Sequence, residues 1–284
     1  MRKITLQLFV AISFVFYGFV THAFAFELNQ DSLKGKVKSY TQHYYLATMN
    51  NGLVVKGEWH MSLPYNFEAE VKDYVHIHKK KYYNGTGTIM HHDQFYYNNN
   101  NQLIEKHSVT NDLVVLSKEF YTHDHKGRKA SEQFFHYLEK HHGKNVEYNY
   151  THHEDTIEVK HYNHESILQN KTIHVLNPLK QETKKLVYDS NSKLIEKIDY
   201  IYNSKGLLSF ETFYNEKGVI KYKKRYHYDH LKNKILDETI DINGNVTKSL
   251  HREISYDTHG NWIQINHFED GTPVYIIQRN IAYF

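Results

Sequence analysis

Between residues 186 and 284 the chain alternates apolar or aromatic positions with polar ones, as in "LIEKIDYIY" and "VIKYKKRYHY", and interrupts the alternation with short polar clusters. Period two marks a strand with one drier face; the 3.6 period of a helix is not sustained here. The interruptions share one form: an aromatic, then Asp or Asn, two or three polar residues, Gly or Asn, and an apolar residue. "VYDSNSKL", "IYNSKGLL", "FYNEKGVI", "HYDHLKNKI", "TIDINGNV" and "SYDTHGNW" are versions of it. Their acidic or amide positions, Asp189, Asn203, Asn215, Asp229, Asp241 and Asp257, are separated by 14, 12, 14, 12 and 16 residues. Each step accommodates a strand of ~5–10 residues and a turn of ~2–5. Because every step is even, the marker tyrosine is expected to keep a similar relation to the sheet from turn to turn.

The turn chemistry is local. Asp and Asn side chains bond backbone groups two residues on, and Gly206, Gly218, Gly244 and Gly260 supply the positive φ of tight turns. Tyr188, Tyr202, Tyr214, Tyr228 and Tyr256 are expected to cover the turn bases, and Asn261 and Trp262 complete the last copy. On this reading His259→Ala costs almost nothing, whereas Gly260→Val strains a turn. Weaker copies lie upstream in "FYYNNNNQLI", "FYTHDHKGRK" and "NYTHHEDTI", and "ASEQFFHYLEK" reads better as a strand than as a short helix. "KGKVKSYTQHYYLATMNNGLVVKGEW" reads as two strands around an Asn51-Gly52 turn. The expected fold is all-β, an extended antiparallel β-meander or hairpin-repeat sheet. Its parts are a signal peptide (1–25), an N-terminal β region with degenerate repeats (26–185) and the stronger hairpin repeats (186–284), the last two forming one continuous domain.

Composition supports strands: the chain has 25 Tyr and only 3 Pro, which leaves ladder hydrogen bonds intact. Arg2 and Lys3, the apolar run from Leu8 to Val20 and Ala23-Phe24-Ala25 are the three parts of a secretory signal, with cleavage expected after Ala25. With 0 Cys the exported chain has no disulfide, thiolate or Cys-ligated metal. Removing the leader takes two bases and no acid, so the net charge falls from +3 to about +1. Lys79-Lys80-Lys81 and Lys221 to Arg225 read as solvated strand edges, and no nucleic-acid partner is expected. A second apolar segment is lacking, so no membrane span is expected after cleavage.

The "YDxxG" spacing, with "YDTHGNW" followed by a strand and then "RNIAY", resembles the YD-repeat (RHS-type) proteins, and "LKGKVKSYTQHYY" resembles the start of their small secreted members. The resemblance is clearest over Leu186 to Phe284. It implies bacterial export, secreted or periplasmic, an extended sheet of hairpins and a looser association with carbohydrate. At this length neither the closed shell of the large members nor their toxin domain is expected.

Histidine, at 23 residues, suggests chemistry. His76 and His78, and His123 and His125, each place two imidazoles on one side of an extended chain, half of what a zinc, copper or nickel site needs. The alternative is that these histidines occupy solvated faces and turns; no HExxH appears. No GxSxG elbow is present, and carboxylates such as Glu154-Asp155 and Glu269-Asp270 are the kind of pair any secreted β protein contains. The expected function is an exported, non-enzymatic β-repeat binding or scaffold protein of the bacterial envelope or exterior, with a glycan or protein partner and no cofactor. A histidine-rich periplasmic metal-binding protein and a secreted hydrolase on a β scaffold are the alternatives.

Overall fold

The computed structural model describes residues 33–59, 66–72, 76–84, 86–137, 142–150 and 155–284; the signal-peptide reading lies outside them. The first strands are β1 (Val37–Asn50), β2 (Leu53–Trp59), β3 (Asn66–Lys72), β4 (His76–Tyr83), β5 (Ile89–Tyr97) and β6 (Leu103–Val109). They are followed by β7 (Val115–His123), β8 (Lys129–His136), β9 (His142–Tyr150), β10 (Thr156–Tyr162), β11 (Leu168–Leu176), β12 (Glu182–Asp189) and β13 (Leu194–Tyr202). The chain ends with β14 (Leu208–Tyr214), β15 (Ile220–Tyr228), β16 (Lys234–Ile240), β17 (Val246–Tyr256), β18 (Trp262–Glu269) and β19 (Thr272–Tyr283).

From β3 to β19 each strand pairs antiparallel with the next. The two ends of this series then meet on β1. One edge of β1 pairs with β3, from Ser39↔Glu70 to Gln42↔Phe67, and the other with β19, from Val37↔Tyr283 to Leu46↔Tyr275. The 19-stranded sheet is therefore a closed ring of 18 strands, all but β2. β2 pairs with the distal half of β1 around Asn51-Gly52. The expectation of an open extended meander is corrected by this closure, and with it the RHS-type resemblance: the sheet curls around an axis into a barrel. Local alternation predicts strands and turns, but closure depends on pairs such as Tyr40↔Ile281, which nothing local records.

Opposed residues of an antiparallel ladder share a face, so one face can be followed round the ring. From Tyr40 it passes through Ile265, Tyr226, Ile198, Val159, Glu119 and Asp93 to Ala69, which again lies opposite Tyr40. None of these residues is exposed, whereas Gln133, Ile201, Lys221, Lys223 and Glu253 on the other face are. Side chains converge on the concave side of a curved sheet and splay on the convex side, so the drier face lines the lumen. Barrels of ~8 strands fill with side chains, whereas ~16–18 strands leave an aqueous interior.

Burial concentrates at the seam. Tyr40, Gln42 and Tyr44 of β1 are among the most buried side chains. Tyr40 packs edge-on to Phe67 at 5.5 Å, in a cluster with Val37, Ala69 and Ile77, while Tyr44 packs with Ile265 and Ile277 on the other side. Closure is thus secured by apolar packing on both flanks of one strand.

Candidate functional site: the lumen and its tyrosine-stitched mouth

The hairpin ends repeat one construction. At Asn203 the side-chain Oδ1 accepts from the amides of Lys205 (2.9 Å) and Leu207 (3.0 Å), Gly206 N donates to Asn203 O (2.9 Å), and Gly206 has φ 76°. The register then slips by one residue between Ile201 and Tyr202, the bulge that accompanies this turn. Asp189, Asn215, Asp229, Asp241 and Asp257 accept the same pair of amides. The left-handed position is glycine at Gly218, Gly244 and Gly260, but Ser192 and Lys232 occupy it at φ 63° and 68°.

The marker tyrosines do not keep one relation to the sheet. Tyr202, Tyr228 and Tyr256 share the lumenal face with Tyr200, Tyr226 and Ile254, whereas Tyr188 and Tyr214 lie on the outward face, beneath the ammonium groups of Lys171 (5.2 Å) and Lys197 (4.2 Å). The even step fails as a guide because each turn carries a bulge residue, which shifts the alternation by one.

The inward set stitches one mouth of the barrel. Tyr202 and Tyr228 hydroxyls donate to the carbonyls of Glu182 (2.7 Å) and Leu208 (2.9 Å), and those of Tyr256 and Tyr283 to the carboxylates of Asp229 and Asp257. Asn233 and Asn261 amides return a bond to Tyr256 and Tyr283, each 2.7 Å. Asn261 also clamps the entering chain: it accepts from Lys34 N (2.7 Å) and donates to Lys34 O (2.8 Å). A pocket of about 460 Å³ opens inside this mouth, between the turns at Gly206, Lys232 and Gly260 and lumenal residues Ile254, Ile265 and Arg279. Its cations lack a sequence signature: Lys234 and Arg279 are ordinary strand residues until curvature brings β16 and β19 to one cavity.

Several polar groups of the lumen are paired with one another. Lys106 bridges Asp93 (3.4 Å) and Glu119 (2.9 Å); Ser108 also donates to Asp93, Tyr121 to Glu119, and Tyr226 to Glu211 (2.8 Å). Burial first and Glu132 second push the Tyr148 hydroxyl up to about 12. Burial depresses His267 to about 3, helped by Arg252, so this ring, stacked on Tyr275 at 4.4 Å, is neutral at physiological pH. His91 and His161 are lowered by burial too. The outward face carries its own ion pairs: Lys81 with Glu68 and Glu70 (3.3 and 3.2 Å), Lys160 with Glu158 (3.0 Å) and Arg225 with Glu238 (2.7 Å).

His76 and His123 stand on β4 and β7, three strand spacings apart and so ~14 Å around the ring. His76 leans on Tyr97 at 4.7 Å, while His78 and His125 are exposed. Among the described residues no group of three or more His, Asp or Glu is placed to hold a metal. Among the lumenal carboxylates, Asp93, Glu119, Glu211 and Asp257 are engaged in structural pairs.

No family model matches the chain. No curated protein matches it either, so the YD-repeat resemblance has no support at the level of families. Solved structures to which it is similar include a porin-like protein of Bacteroides uniformis (8% identity, 88% of this chain and 98% of that chain covered, TM-score 0.32). A porin-like protein of Bacteroides vulgatus gives 12% identity, coverage of 87% and 98%, and a TM-score of 0.36. At such overlaps, the closure rests on the strand pairing of this chain itself. It overturns the reading as an open β-repeat binding or scaffold protein with a glycan or protein partner. It also removes the basis for a secreted or periplasmic placement without a membrane span. That placement relied on the lack of a second apolar segment, and a β-barrel crosses a bilayer with strands that need none. Among the described residues no helix is long and apolar enough to cross a membrane, which says nothing of a barrel.

Proposed function

We propose that the protein works through its lumen, as a hollow barrel that admits small polar solutes and performs no chemistry on them. The observation that carries this reading is the inward face itself. It runs unbroken round 18 strands back to Tyr40 and mixes tyrosines with paired charges, as at Asp93, Lys106 and Glu119. Its hydroxyls and charged groups offer hydrogen-bond partners to water and polar solutes, which a wholly apolar face would lack.

The chain contains 0 Cys, so single cysteines can report on each face. Thr239→Cys, on the lumenal face, should react with a small methanethiosulfonate reagent and resist a maleimide carried on a large polymer. Glu253→Cys, exposed on the outward face, should react with both. Equal labelling of the two by the polymer reagent would end the lumen reading. Liposomes loaded with sucrose then separate passage across a bilayer from retention of solutes in an aqueous barrel. The outward ion pairs bear on that arm, because a Lys or Arg at the middle of a barrel's lipid face costs ~2–4 kcal/mol.

A further inference from the structure

The pocket inside the stitched mouth is lined by Lys34, Lys232, Lys234 and Arg279 together with Tyr228 and Trp262, and by no carboxylate. Four cations line a space of ligand size, about 460 Å³, and with Asp237 paired to Lys234 from outside the lining the balance there remains positive. Two of them are held in place. Arg279 lies 3.6 Å over the Trp262 ring and donates from Nε to Gln42 Oε1 at 2.8 Å, which makes a rigid floor. Lys34 is fixed through its backbone by Asn261, and its ammonium overhangs Gly260, where a Cβ would stand 3.1 Å away. Lys234 lies 3.9 Å above the Tyr226 ring with Asp237 at 4.0 Å.

We propose that this mouth binds a small organic anion, a carboxylate carried on a planar ring, with the carboxylate among Lys34, Lys232 and Lys234 and the ring against Tyr228 and Trp262. The inference rests on the lumen reading and adds to it a class of solute. Burial lowers Lys234 to about 8, and a bound carboxylate offsets that burial by favouring the protonated ammonium. Arg279 serves as the floor for the ring, its guanidinium already occupied by Gln42 and Trp262.

Calorimetric titration of the full chain with 2-naphthoate, and with its uncharged amide 2-naphthamide, tests the site at pH 7 and low salt. Naphthoate is expected to bind one to one, and naphthamide at least tenfold more weakly. Lys234→Met and Lys34→Met should each weaken naphthoate about tenfold while leaving the melting temperature and the Thr239→Cys and Glu253→Cys labelling pattern as they were. Equal affinity for the two probes, or unchanged naphthoate affinity in both variants, overturns the anion site. The labelling is done without any anion, so an open lumen that fails to discriminate the probes sinks this inference alone, whereas polymer labelling of Thr239→Cys sinks both readings.

Discussion

The hydroxyl of Tyr283 donates to the carboxylate of Asp257, tying the last strand to the turn that precedes β18. Tyr256 does the same to Asp229 one hairpin pair earlier. Burial alone would raise the Asp257 carboxyl, yet the Tyr283 hydroxyl and the amides of Asn261 and His259 hold it below its ordinary range. Tyr283→Phe keeps the ring and removes the bond. A hydrogen bond to a charged acceptor contributes ~1.5–3 kcal/mol, and partial exposure places this one at the low end. Urea denaturation should show a loss of about 1–2 kcal/mol at neutral pH, shrinking in acid as Asp257 protonates; a loss that does not change with pH would mean the ring, not the hydroxyl, matters.

Gly260 and its neighbour His259 respond differently from what the turn alone suggests. Gly260 has φ 78°, and a Cβ there would stand 3.1 Å from Lys34 Nζ, so Gly260→Val should cost about 1–3 kcal/mol through backbone strain. His259 is more than a turn residue. Its ring stacks on Tyr283 at 4.2 Å and lies beside Gly35, so the near-zero cost expected from sequence is revised. Thermal melts should place His259→Ala about 0.5–1 kcal/mol below the parent and Gly260→Val lower still. The reverse order would remove the strain argument.

Ring closure has a covalent test. Thr41 of β1 and Asn280 of β19 are register partners, and directly opposed residues lie ~4.5–5.5 Å apart at Cα, within disulfide range. In this cysteine-free chain, Thr41→Cys combined with Asn280→Cys should form an intramolecular disulfide under mild oxidation, shown by a mobility shift reversed by reductant. Its closed loop spans nearly the whole chain, so it should also raise the melting temperature. Failure to cross-link in a folded sample would reopen the barrel.

The strands and turns were legible because their causes are local: alternation, an Asx residue and a φ-positive position within four residues. Even so, Ser192 and Lys232 take the left-handed corner that the pattern assigns to Gly or Asn. Closure was not legible, since Tyr40 owes its burial to Phe67 and Ile281, the second of which lies far along the chain. The choice of lumenal face escaped for a related reason. Alternation gives two faces, but only the bulges and the curvature decide that Tyr202 points in and Tyr214 out. The pocket was the least legible part, because Lys34, Lys234 and Arg279 share no motif and meet only when the ring is complete.

Buried histidine gives the fold a pH dependence. In the unfolded chain His267 takes up a proton near its ordinary 6.5, while in the folded chain burial holds it unprotonated down to about 3. As pH falls through that interval the unfolded state binds the extra proton, so the contribution to stability is complete above ~6.5 and is lost progressively towards ~3. Its slope approaches ~1.4 kcal/mol per pH unit. His43, His91, His92 and His161, all lowered by burial, act in the same direction. His267→Phe preserves the stack on Tyr275 and has no proton to gain. Between pH 6.5 and 4.5 its unfolding free energy should therefore fall less steeply than the parent's, by roughly that slope. Parallel curves would show that water or a local opening lets His267 titrate normally in the folded barrel.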